Sequence, residues 1–133
     1  MLINPFKKER RRQKLIRLLP VLGSKCEYLS GFFKENVSLV EVDEEISESL
    51  DEEIGAEILI VDEDSWNKFS NIVDDFEADK STALDLLEDI RPYLLEDGFV
   101  KDTYAMCYNR LEEILEEYEK VTSFIEAYEV YTV

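Results

Sequence analysis

A run of apolar and aromatic residues near the C-terminal end constrains this chain most. Tyr104, Cys107, Leu111, Ile114, Tyr118, Val121, Ile125 and Tyr128 alternate by three and four. Such spacing over four heptads is a helix with a continuous a/d seam, a rod of about 40 Å at ~1.5 Å per residue. A helix with one apolar stripe must bury it. Three seam residues are tyrosines, bulkier and more polar than a tight zipper wants. The expectation is therefore a long C-terminal helix acting as the spine of a bundle. A homodimer through this helix is the alternative.

The rest of the chain must supply what packs on that spine. Its 133 residues hold one domain. Only four glycines and three prolines argue against an all-β fold. Asn4-Pro5 is a good helix start, and the helix should run from Pro5 to about Leu19, ended by Pro20. A second short helix is expected over residues 25–34, burying Tyr28, Leu29, Phe32 and Phe33. Residues 37–42 alternate like a strand, and 57–61 hold the largely β-branched run Ile58-Leu59-Ile60-Val61. The two should pair as a small two-stranded β element. Between them, Asp43 to Glu53 carries Ile46, Leu50 and Ile54 at helix spacing, with Gly55 to close it. Asp62 or Asp64 caps a helix carrying Trp66, Phe69, Val73 and Phe76. Ser81 caps another with Leu84, Leu87, Ile90 and Leu94 inward, kinked near Pro92 and ended by Gly98. The expected fold is mainly α.

Charge divides the chain in two. Residues 1–34 hold nine bases against two acids, a net +7, and form a basic helical segment. Residues 35–133 form an acidic body of net −24, and residues 35–67 contain thirteen acids with no Lys or Arg. Lys7, Lys8, Arg10, Arg11, Arg12 and Lys14 make a basic patch. Either it lies against acidic helices and is neutralised there, or it stands free. The whole chain carries −17.

Several chemistries are excluded or weakened. There is no histidine, so Ser-His-Asp and Cys-His mechanisms and imidazole zinc sites are absent. Cys26 and Cys107 stand far apart, outside any CxxC pair, and are expected to be buried free thiols. Arg17 and Pro20 interrupt the apolar run 15–23, which speaks against a signal peptide. No stretch reaches the ~18 apolar residues of a membrane span. A cytoplasmic protein without membrane contact is expected. The glycines stand alone, without a phosphate-binding loop or dinucleotide fingerprint. Asp75, Glu77 and Asp79 begin like a calcium loop, but Lys80 and Leu86 occupy positions where Gly and Glu are needed. Glu112-Glu113-x-x-Glu116 resembles the first half of the motif of all-α, Mg²⁺-dependent nucleotide pyrophosphohydrolases. The second half would have to be Glu126-x-x-Glu129, which lies too close behind and ends in Glu.

A net −17 exceeds the ~2–8 that keeps a small domain soluble, and uncompensated acids repel one another in the compact state. Rows of carboxylates on rigid helices imitate the charge of nucleic acid. The leading expectation is a non-enzymatic inhibitor without cofactors, a DNA mimic of the counter-defence or immunity type. It would bind a basic, nucleic-acid-handling partner, and the acidic body would not bind DNA. Its face would comprise Asp43, Glu44, Glu45, Glu48, Asp51, Glu52, Glu53, Asp62, Glu63, Asp64, Glu112, Glu113, Glu116 and Glu117. Tyr93, Phe99, Tyr108 and Tyr131 are candidate anchors. The alternatives are the Mg²⁺-dependent hydrolase and a structural or adaptor protein whose charge serves solubility alone.

Overall fold

Pro20 does not end the first helix. Leu15, Leu19, Leu22, Cys26, Leu29 and Phe32 keep one spacing straight through it, and all six are buried. Burying a large apolar side chain is worth about 1.5–3 kcal/mol, and a helix-interior proline costs about 3. The stripe outweighs the proline. Pro20 itself lies on the exposed side, where water can take the hydrogen bond that it cannot make.

A computed structural model describes residues 5–91 and 98–133, with the side chains of 5–9, 33, 98–101 and 103 outside the described set. The elements are α1 (Pro5–Asn36), β1 (Val37–Glu41), α2 (Glu44–Leu50), β2 (Glu57–Val61), α3 (Glu63–Ile90), α4 (Gly98–Glu126) and β3 (Glu129–Thr132). The fold is mainly α, a three-helix bundle with a small sheet at one end.

α1 lies antiparallel to α3. Phe32 meets Phe69 with ring centroids 4.6 Å apart, Lys25 pairs with Asp79 at 2.5 Å, and Arg11 pairs with Asp89 at 3.1 Å. α4 runs parallel to α1: Arg110 lies over Gly23, and the Cys26 thiol donates to the Ile114 carbonyl at 3.5 Å. A side chain at Gly23 would place Cβ 3.1 Å from that guanidinium. Phe76, fully buried, stacks on Tyr118 at 4.1 Å and joins α3 to α4.

The sheet sits where α1 ends, α3 begins and α4 ends. Its order is β1-β2-β3. β1 and β2 are antiparallel, with Val37 opposite Val61 and Glu41 opposite Glu57. The third strand was not foreseen: β3 pairs parallel with β2, from Ile58 opposite Glu129 to Val61 opposite Thr132. The seam of α4 was expected to continue through Tyr128, but the helix stops at Glu126 and the β-favouring Val130, Tyr131 and Thr132 pair with the sheet. Val61 belongs to the bundle core, with Val37 and Val130 packed against it.

Other boundaries also differ from expectation. One helix, α1, replaces the two expected over residues 5–34. α3 likewise passes through Ser81, because Phe69, Phe76, Ala83 and Ile90 recur at sevens on its buried face. Leu84, expected inward, falls off that face and is 41 % exposed. α2 is closed by Asp51 in the left-handed region (φ 55°), while Gly55 (φ 90°) turns the chain into β2. The seam residues Cys107, Leu111, Ile114, Tyr118 and Val121 are buried within the chain, so a homodimer through α4 would need another face. The Asn4 cap, the Pro92 kink, Leu94, and the side chains of Phe33, Lys7 and Lys8 lie outside the described residues. α4 begins at Gly98, which was expected to end the preceding helix.

Pro20→Ala should restore one helical hydrogen bond without disturbing a contact. An increase of about 2 kcal/mol is expected, read as a higher urea midpoint at unchanged slope. A loss of stability would show that α1 needs a bend at this point.

Candidate functional site

The acids of residues 43–53 form the tip of the molecule, beyond the Glu41–Glu57 end of the sheet. Asp43 caps α2, its carboxylate accepting the Ile46 N–H at 2.9 Å. Glu44 and Glu45 occupy the first turn, where the helix dipole favours negative charge. The Asp51 N–H donates to the Ser47 carbonyl at 3.0 Å, and the Ser47 hydroxyl donates to the Glu52 carbonyl at 2.6 Å. These bonds close the tip on itself. Asp43, Glu44, Glu45, Glu48, Asp51 and Glu53 are exposed, and Glu52 is half-buried. Glu52 accepts a hydrogen bond from the Tyr131 hydroxyl, which ties the tip to β3. That bond, with lost hydration and the Glu52 charge behind it, pushes the Tyr131 pKa up to about 12.

Asp62, Glu63 and Asp64 are exposed at the opposite end of β2, a strand about 16 Å long. Asp62 caps α3, accepting from the Ser65 N–H at 3.0 Å and its hydroxyl at 3.2 Å. The ion pairs among the described residues all lie outside 43–53 and 62–64. Both groups therefore present uncompensated charge. Asp43 and Asp62 serve local structure as well as surface charge.

The third group lies along α4. Glu112, Glu113, Glu116 and Glu117 are all exposed, while Leu111, Ile114 and Tyr118 between them are buried. Glu113 pairs with Arg110 at 3.3 Å and Glu117 with Lys120 at 2.9 Å. Such surface pairs are worth at most about 1 kcal/mol. The structure thus keeps the predicted acids in three patches rather than bringing them into one.

A ridge of α4 carboxylates separates two grooves. One, of about 630 Å³, runs between α1 and α4 over Gly23, Cys26, Ser30 and Gly31, with Glu27, Lys34, Arg110, Glu113, Glu116 and Glu117 on its walls. The other, of about 350 Å³, lies between α3 and α4 and is lined by Leu84, Leu87, Tyr108, Leu111, Glu112, Leu115, Glu116 and Glu119. Leu84 and Glu119 were not among the predicted site residues. Glu119 is seven residues from Glu112, and that spacing was the available signal. Tyr108, a candidate anchor, faces out at 48 % exposure. Tyr93 and the Phe99 side chain lie outside the described residues.

The basic patch is docked, at least in part. Arg11 pairs with Asp89, and Arg12 is half-buried. Arg10 and Lys14 are exposed and line a shallow groove with Arg17, Leu18 and Val21. Both cysteines are buried and free, and burial pushes both thiols up, away from the reactive thiolate. Among the described residues, no three of His, Cys, Asp or Glu stand close enough to hold a metal ion. No helix among them is long and apolar enough to cross a membrane.

A polar link between buried Tyr118 and exposed Glu77 joins α4 to α3. Tyr118 hydrogen-bonds Glu77, which holds the Glu77 carboxyl below the usual carboxylate range. Burial first, and then Glu77, push the Tyr118 hydroxyl up. The Glu77 contribution is present above its unfolded pKa of about 4.3 and is lost as pH falls through the lower folded value. The Tyr118 contribution is present below about pH 10 and is lost as pH rises toward the folded value. Wild type should exceed Tyr118→Phe by about 1 kcal/mol at pH 7. Melts across pH should show this advantage shrinking at both extremes. A pH-independent difference would mean that the link is packing alone.

A comparison of the chain with protein-family models, curated proteins and solved structures finds no match.

Proposed function

We propose that this chain is a non-enzymatic, cytoplasmic interaction protein that binds a basic, nucleic-acid-handling partner and blocks it with nucleic-acid-like charge. It would act as a counter-defence or immunity type inhibitor. The observation that carries this reading is the tip. Seven acids between Asp43 and Glu53 sit on a capped helix and its closing turns without a salt-bridge partner among the described residues.

α2 is about 10 Å long, and seven charges cluster on it, its cap and its closing turn, a local density comparable with the one per ~1.7 Å of duplex DNA. A fixed charge array does not reorganise on binding, so it costs little entropy when it docks. The same field repels nucleic acid from the body and steers a basic surface toward it.

The test is capture from host lysate at low and high salt, followed by competition. Wild type should retain one basic nucleic-acid-handling protein at low salt and shed it at high salt. It should also displace nucleic acid from that protein. Glu44→Lys/Glu45→Lys/Glu48→Lys should bind the captured protein about 100-fold more weakly, most of it lost on-rate and rim attraction. Equal binding by the variant, or no displacement of nucleic acid by wild type, would refute the reading.

A further inference from the structure

We propose that the groove between α3 and α4 is the docking site for an amphipathic basic helix of the partner; this rests on the reading above and specifies its apolar anchor. α1 packs closely along α3 and along α4, whereas α3 and α4 approach each other less closely. The divide between them stays open. Its floor is apolar, and two of its residues, Leu84 and Tyr108, stand 41 % and 48 % exposed, with no described element over them. Leu84 and Leu87 on α3 face Tyr108, Leu111 and Leu115 on α4 across the groove. That is the arrangement that receives a helix presenting anchors at i, i+3, i+4 and i+7.

The wall of the groove selects the charge of that helix. Glu112, Glu116 and Glu119 follow one another at i, i+4 and i+7, a single line about 10 Å long on α4. None of the three has an ion pair among the described residues; Arg110 and Lys120 pair with Glu113 and Glu117 instead. Among the described residues, no Lys or Arg lines the groove. An apolar floor beside an uncompensated carboxylate row complements a helix with Leu-like anchors flanked by Lys or Arg. It rejects an acidic helix, a nucleic acid or an anionic lipid surface. The groove between α1 and α4 differs in this respect, because Arg110 and Lys34 stand on its walls. A second copy of this chain also offers a basic stripe with apolar neighbours, Arg10, Lys14 and Arg17 beside Leu18 and Val21. That stripe belongs to a chain of net charge −17, so two copies repel on approach. A helix from a basic protein meets attraction instead.

The experiment uses the full chain and two synthetic helical peptides of equal positive charge. One carries Leu at every third or fourth position between lysines, and the other has Ala at those positions. The Leu peptide should bind roughly tenfold more tightly, the gain of burying a few apolar side chains. Amide shifts should concentrate on residues 84–87 and 108–119. Leu84→Ser/Tyr108→Ser should abolish the preference and leave the Ala-peptide affinity unchanged, with the helical circular dichroism of wild type. Equal affinity for both peptides, or shifts concentrated on residues 43–53, would overturn the groove while the acidic-surface reading survives. Binding of neither peptide at low salt would sink both. A salt-sensitive dimer of the chain alone, abolished by L84S, would assign the groove to a second copy and overturn the proposal.

Discussion

The apolar stripe of α1 is the interaction on which the other elements depend. It faces α3 along one side and α4 along the other, and its buried residues belong to the same cluster as theirs. Without it, α3 and α4 have few close contacts with each other. The sheet would then lose the three helix ends that hold it. The stripe also solves an electrostatic problem. A chain with 32 acids and 15 bases works against its own compaction, and α1 lays positive charge along the flank of α3. Lys25 and Arg11 meet Asp79 and Asp89 on α3, so the apolar and ionic contacts of α1 act on the same neighbour.

That arrangement divides the acids into two kinds. Those on α3 facing α1 are neutralised and belong to the architecture. Those at the tip, at the start of α3 and on the outer ridge of α4 remain available. Their separation matters for recognition. A partner covering the tip and the α4 ridge together would have to span the sheet end of the bundle, while a partner helix in the α3–α4 groove touches the ridge alone. The charge of the tip attracts at long range. The groove provides the short-range apolar contact that charge lacks, since salt screens the former within ~8 Å and hardly affects the latter.

Much of the fold was legible in residue spacing, and the misreadings share a cause. The seam of α4 and the pairing of 37–42 with 57–61 follow from periodicity alone. Pro20 and Ser81 look like boundaries by local propensity, which the long-range pattern overrides. In both cases a heptad runs through the residue, from Leu15 to Phe32 and from Phe69 to Ile90, and tertiary burial outweighs the local penalty. β3 was missed for the opposite reason. Tyr128 prolongs the helical spacing by chance, and only the β-favouring Val130-Tyr131-Thr132 that follows marks the change. The acids were identified individually, but their division into patches depends on strand direction and helix order, which spacing does not encode. The groove was hidden by Leu84. Its place in the heptad can be read only once α3 is known to be one helix.

The parallel pairing of β2 with β3 has a consequence for the order of assembly. Ile58 and Glu129 are neighbours in the sheet but are separated by both α3 and α4. Contacts this distant in sequence close late, after the loop entropy of the intervening chain has been overcome. The β1-α2-β2 unit is local and needs no such closure. Closure of the charged tip on itself therefore does not require β3, whereas its attachment through Tyr131 to Glu52 comes only with that strand. A nascent or partly opened molecule would carry its negative array before it carries a finished groove.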